Sequence, residues 1–258
     1  MAETKTKKKK KITSAGPASS TTANIKEAAP VGNATGLRIG AVLFWIAALA
    51  LEVVALFMLL GKIDLKFTQV LYQIIGALVL DLICVIVGSQ FWKKANHIKP
   101  ASEKNKLKFW LWNNMGLIVC AFAFIPFVIL TLTNKEADKK TKTIATVVAI
   151  IACLIGGVAS IDFNPVSQEQ QQAAMNAIST NVYWSPFGRV YHTHTDCSSL
   201  NQTEELTEGN VEQAMAANRT RLCSFCARKD DIQGVVTDGK NVDDADVKDD
   251  DKDESESK

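Results

Sequence analysis

The sequence predicts an α-helical membrane protein with four transmembrane helices and a small α+β zinc-binding module at its C-terminal side. Three observations predict it: four apolar runs between Ile39 and Ile161, a polar segment after them that gathers cysteines and histidines, and two strongly charged ends. Averages hide this, since 258 residues that are 47% hydrophobic and 22% charged, with net charge +2, describe an ordinary soluble chain. Apolar runs of bilayer length, kept apart from the charge, exclude a single soluble globule.

Residues 1–36 carry seven Lys against Glu3 and Glu27, a net +5. Their Ser/Thr/Ala/Gly-rich background predicts a disordered basic head. The Lys5 to Lys11 run can contact anionic lipid or nucleic acid. A solvated topology determinant is the preferred reading, so no nucleic-acid partner is expected.

The spans are Ile39 to Leu60, 22 residues with Glu52 the only charge, and Thr68 to Trp92, 25 residues with only Asp81. Phe109 to Leu132 (24 residues) and Thr143 to Ile161 (19 residues) carry no charge. At ~1.5 Å per residue the shortest reaches about 28 Å, close to the ~30 Å hydrocarbon core. The first run reads as an anchor rather than a cleaved signal, because its polar leader and apolar core are long and no A-x-A site follows. Lys and Arg in the connecting segments set the orientation. With the N-terminus inside, 14 lie on the cytoplasmic side and 6 outside, which places both termini in the cytoplasm. Tyr72, Trp92, Trp110 and Trp112 fall near predicted span ends, as interfacial aromatics do.

Glu52 and Asp81 sit near mid-depth, where an ionised carboxylate costs at least ~2.5 kcal/mol. Two readings stand: a proton or cation site that includes Cys84 and Cys120, or neutral carboxyls hydrogen-bonded between packed helices. Cys84, Cys120 and Cys153 otherwise read as small apolar packers. Asn113 and Asn114 suit an interhelical hydrogen bond worth roughly 0.6 kcal/mol, and Gly156 and Gly157 suit close helix packing.

Residues 163–181 form a Gln-rich linker in which Ser167 and Gln170 have capping-box spacing, predicting a helix from about 168 to 178. In the module, residues 182–228, two strands (182–184 and 189–192) flank Ser185-Pro186-Phe187-Gly188, a type I turn pattern. Asn210 with Gln213 caps a helix running to about Ala217. Cys223 and Cys226 form a C-x-x-C knuckle, and His192 with Cys197 supplies two further ligands for tetrahedral zinc. His194 competes with His192, which is preferred because it ends a strand. Residues 229–258 read as a disordered acidic tail, with eight Asp and two Glu against four Lys from 238 onward. The N-x-S/T triplets at Asn33, Asn201 and Asn218 are chance matches in cytoplasmic segments.

Tyr191-His192-x4-Cys197-Ser-Ser-Leu200, Gln213-Ala-Met-Ala-Ala217 and Cys223-Ser-Phe-Cys226 together resemble a small bacterial zinc-binding module. That module is similar to the metal-binding domain of the Ada DNA-repair methyl acceptors. Asn218 or a neighbour stands where that family has Gly, Leu222 where it has Pro, and His192 where it has a first cysteine. The resemblance implies zinc on His192, Cys197, Cys223 and Cys226, without methyl transfer. The four-span region resembles small bacterial integral membrane proteins, which implies the bacterial inner membrane.

No nucleophile-elbow, P-loop, H-E-x-x-H or kinase signature is present, no small-molecule substrate is indicated, and enzymatic activity is not expected. The expected role is binding, scaffolding or metal sensing, in which the zinc module of a bilayer-embedded chain engages a cytoplasmic protein. The alternatives are a proton- or ion-coupled transporter using Glu52 and Asp81, and a membrane thiol oxidoreductase using Cys223 and Cys226.

Overall fold

The computed structural model describes residues 10–15, 32–66, 68–135 and 138–239. These residues fall into two compact units, one of residues 32–167 and one joining the N-terminal segment to the chain from Gln168 onward. The disorder expected of the remaining head and of the tail beyond 239 lies outside the described residues.

The first unit is helical: α1 (Ala34–Leu59), α2 (Val70–Ile98), α3 (Lys106–Asn113), α4 (Met115–Thr133) and α5 (Lys139–Ser160). Of these, α1, α2, α4 and α5 are long and apolar enough to cross a membrane. Apolar side chains such as Leu43, Ile46, Leu80, Phe122 and Leu154 remain exposed on their outer faces, the pattern of helices whose outer surroundings are lipid rather than water. Inward, α1 buries Ala41, Trp45, Ala48, Glu52, Ala55 and Leu59, and α2 buries Ile74, Ala77, Asp81, Val85, Gly88, Trp92 and Ala95. Spacings of three and four put each set on one stripe. Small residues let the helices close. A Cβ on Gly88 would stand 2.7 Å from the Trp45 ring, and one on Gly156 would stand 3.0 Å from Cys120 Sγ.

All four spans differ from expectation, the fourth starting at Lys139 rather than Thr143 because the Asp138 side chain accepts from the Thr141 amide there. α1 begins before Ile39 because the Asn33 side chain accepts a hydrogen bond from the Gly36 amide at 3.0 Å, capping the helix there. α2 continues past Trp92 to Ile98, where Lys93 Nζ donates to Ala159 O at 2.8 Å, at the C-terminus of α5. There too, His97 Nε2 meets Asp162 Oδ2 at 2.8 Å in a buried pair. The predicted third span, 109–132, is broken at Asn114 into α3 and α4. Asn113 and Asn114 turn their amides back onto Phe109 O and Trp110 O, the local bonding by which Asn competes with the helix ladder. The Trp112 carbonyl, next to the break, accepts from Trp92 Nε1 at 2.8 Å and Asn96 Nδ2 at 3.3 Å. Asn96 also donates to Asn113 Oδ1 at 3.2 Å, the interhelical bond expected of that residue.

The second unit holds β1 (Lys11–Ser14), α6 (Gln168–Ala177), β2 (Val182–Trp184), β3 (Val190–Tyr191), a 3-10 turn (Ser198–Leu200), β4 (Glu205–Gly209), α7 (Val211–Ala216), β5 (Arg221–Leu222) and α8 (Ser224–Lys229). One sheet has the order β1-β4-β2, with β1 parallel and β2 antiparallel to β4 (Lys11↔Glu205, Trp184↔Thr207). A second pairs β3 with β5 in parallel (Tyr191↔Leu222). Val182, Trp184, Tyr191, Leu206, Met215 and Leu222 lie in the core of this unit.

Three corrections follow. Lys11–Ser14, expected to be disordered, is a strand on β4, steadied by Lys10 Nζ donating to Thr195 O at 2.5 Å. The two strands around Ser185–Gly188 meet only at the Tyr183↔His192 bridge, because each has another neighbour. The module also extends past 228: Asp238 N donates to Leu222 O at 3.2 Å, and Asp238 Oδ1 accepts from Ser224 N at 2.8 Å.

Candidate metal centre

Each chemistry-bearing side chain of the module is fixed by local structure. His192 follows β3 and exchanges two 2.7 Å backbone hydrogen bonds with Tyr183, which lock its position. Cys197 precedes the 3-10 turn and its carbonyl accepts from Leu200 N at 2.9 Å. Cys223 is the residue before α8, its amide donating to Tyr191 O at 2.9 Å, and Cys226 lies on the first turn of that helix.

α7 delivers the chain to this knuckle. Its N-terminus carries the predicted capping box, with Gln213 N on Asn210 Oδ1 at 2.7 Å and Asn210 N on Gln213 Oε1 at 2.9 Å. At its C-terminus, Asn218 N donates to Met215 O and Arg219 N to Ala214 O, both at 2.9 Å, with Asn218 at φ 65°. This is a Schellman close, in which Asn takes the left-handed position usually held by Gly. The Arg219 guanidinium then donates to the carbonyls of Ser185 and Pro186, pinning the turn between β2 and β3.

Candidate ligand atoms from His192, Cys197, Cys223 and Cys226 all lie within 4.8 Å of one another, and all four residues are buried. Cys197 Sγ is 3.8 Å from Cys223 Sγ, and Cys226 Sγ is 3.7 Å from His192 Nδ1. The cluster is able to hold a metal ion. The hydrogen bond with Cys226 is the largest influence on Cys223 and, against burial, holds its thiol far below the ordinary range; Cys226 is pushed up in turn. Thiolates are what a metal binds, so entry of an ion would displace protons from these thiols. Ser199 Oγ sits 3.7 Å from Cys223 Sγ. Sequence reasoning missed this neighbour, since an isolated Ser carries no ligand signal.

His194, the competing histidine, borders the site but is not one of the four clustered residues. Its Nε2 meets Asp230 Oδ1 at 2.5 Å, and Thr193 donates to Asp230 Oδ2. Burial would raise the Asp230 carboxyl, but the bonds from Thr193 and His194 outweigh it and hold the group below the usual carboxylate value. A cleft of about 140 Å³ borders Cys197 and Cys226, with half-exposed Phe225 and the Asp196–Lys229 ion pair (3.5 Å) on its walls. Glu52, Asp81, Cys84, Cys120 and Cys153 belong to the helical unit and are not brought to this cluster.

Fold and site define a mostly helical protein with four membrane-capable helices and a compact module carrying a buried Cys3His cluster. Compared with protein-family models, curated proteins and solved structures, the chain finds no match.

Proposed function

We propose that this chain is a four-span integral membrane protein whose C-terminal module holds one structural zinc ion on His192, Cys197, Cys223 and Cys226 and serves as a binding or metal-sensing platform. The observation that carries the proposal is the pair of edge lengths, 3.8 Å between Cys197 and Cys223 and 3.7 Å between Cys226 and His192. Tetrahedral zinc with bonds of ~2.3 Å to sulfur and ~2.0–2.1 Å to nitrogen has edges of roughly 3.6–3.8 Å. Four protein ligands close the coordination sphere and leave no position for an activated water, which favours a structural over a catalytic ion. The residues that match the Ada-like pattern are the same four, and Asn218 performs the helix-closing role of that pattern's Gly.

The pairing of β1 with β4 supports a common side of the membrane for the head and the module, as an even number of spans requires. The excess of Lys and Arg in the head and the 93–108 segment favours the cytoplasmic side. A cytoplasmic protein that engages the Phe225 face of the module is the partner this reading implies.

Elemental analysis of the purified full chain in detergent should find about one zinc per chain, lost in a Cys223→Ser/Cys226→Ser variant. Chelation should expose the module to protease, because binding of ~10–16 kcal/mol to structural sites of this kind is folding free energy. A metal-free chain whose module stays protease-resistant would overturn the proposal.

A further inference from the structure

The two intramembrane acids are brought together by the packing of α1 on α2. The Trp45 ring fills the notch at Gly88, and Phe44 meets Phe91 with ring centroids 5.6 Å apart, which fixes an antiparallel register. Glu52 lies seven residues beyond Trp45 on α1, and Asp81 lies seven residues before Gly88 on α2. Seven residues are close to two helical turns, ~10.5 Å along each axis. Both acids therefore stand on the facing stripes at the same level, and Asp81 lies within electrostatic range of Glu52.

Their surroundings are dry. Glu52 is 5% and Asp81 0% exposed, among Ala48, Ala55, Ala77, Leu78, Val85 and Phe124. Neither acid forms an ion pair among the described residues. The ionisable groups facing Asp81 are Glu52 on α1, Cys84 on α2 itself and Cys120 on α4, behind which Cys120 Sγ donates to Cys153 O on α5 at 3.5 Å. Glu52 has a donor in the Phe127 backbone amide of α4. Asp81 has none: both of its carboxyl oxygens are buried without a hydrogen-bond partner.

An unpartnered carboxylate in hydrocarbon beside a second one cannot persist as two charges. Calcium or magnesium would call for about six or more oxygen ligands, and a softer divalent ion for about three or more converging His, Cys or carboxylate groups; among the described residues only the Cys3His cluster of the module gathers such a set. The ligand this site fits is the proton. We propose that Glu52 and Asp81 form an exchangeable proton-binding site at mid-depth of the helix bundle. Uptake converts a carboxylate and a hydronium ion into a carboxylic acid and water, taking the pair from two negative charges to one and then to none. Asp81, lacking a donor, carries the first proton, and Glu52, which Phe127 serves, carries the second.

Dicyclohexylcarbodiimide, which reacts with protonated carboxyls in apolar surroundings, tests this on the full chain in phosphatidylcholine vesicles, read by peptide mass spectrometry across about pH 5 to 9. The expected result is a label on Asp81 that falls at least tenfold from the acid to the alkaline end. Glu52→Gln, which removes the neighbouring charge, should move that fall toward lower pH, a change that a merely structural carboxyl would not produce. Absence of label on Asp81 at every pH, labelling that does not vary with pH, or an unmoved profile in Glu52→Gln would each overturn the proposal. If that variant does not fold, the wild-type profile alone decides.

Discussion

The notch at Gly88 sets the register between α1 and α2. In Gly88→Ala the new Cβ would stand 2.7 Å from two atoms of the Trp45 ring and 3.0 Å from Ala41 O. Ordinary carbon contacts are ~3.5–4.0 Å, so something must move by roughly 1 Å. Trp45 cannot rotate away, being buried and packed at a 40° tilt against Trp92 with ring centroids 5.3 Å apart, and the Ala41 carbonyl is backbone. α1 must therefore lift from α2, at the ~1–3 kcal/mol typical of an overfilled interior. Replacing Gly by Ala in a helix also brings up to ~1 kcal/mol of stabilisation, which must be separated out. Gly76 serves as the control, since it is on the same helix with nothing within 4 Å of its added Cβ. In denaturing-detergent titrations followed by circular dichroism, Gly88→Ala should be less stable than Gly76→Ala by about 1–3 kcal/mol. Equal stability of the two variants would refute the Trp45 contact, and with it the levelling of Glu52 against Asp81.

His192→Ala should lose the bound zinc while His194→Ala keeps it, as elemental analysis of the two purified chains would report. Asn210→Ala removes the cap of α7 and should cost the module about 1 kcal/mol, readable as a melting shift of roughly 4–8 °C for a domain of this size. For Asp162, burial raises the carboxyl, but the bond and charge of His97 and the charge of Lys93 outweigh it and hold it below its ordinary value. Its contribution is therefore fully present above the unfolded-state value of ~3.9 and is lost as pH falls through the lower folded value. Melting profiles should show this acid loss in the wild type and a weaker one in Asp162→Asn.

Much of this was legible because the signals were local. The spans announced themselves by apolar length, and the α7 cap by Asn210 and Gln213 three residues apart. His192 could be preferred to His194 because strand geometry holds one and leaves the other to a loop. What escaped reading depended on distant neighbours or on side-chain competition. Glu205–Gly209 contains one apolar residue, Leu206, and becomes a strand only between β1 and β2. Lys11–Ser14 reads as a solvated charge run until β4 is known. The break at Asn114 follows from two amides folding back on their own helix, which average hydropathy cannot register.

The sheet in which Lys11 faces Glu205, 194 residues away, also governs when the molecule can be finished. At synthesis rates of ~5–20 residues per second, β1 waits roughly 10 to 40 s for its neighbour to be made, while every membrane-capable helix is produced in between. Completion of the β1–β4 pairing thus comes only after the whole intervening chain has been made. A passenger domain fused close before Lys10 would burden that last step, leaving helix formation untouched and the edge of β4 bare.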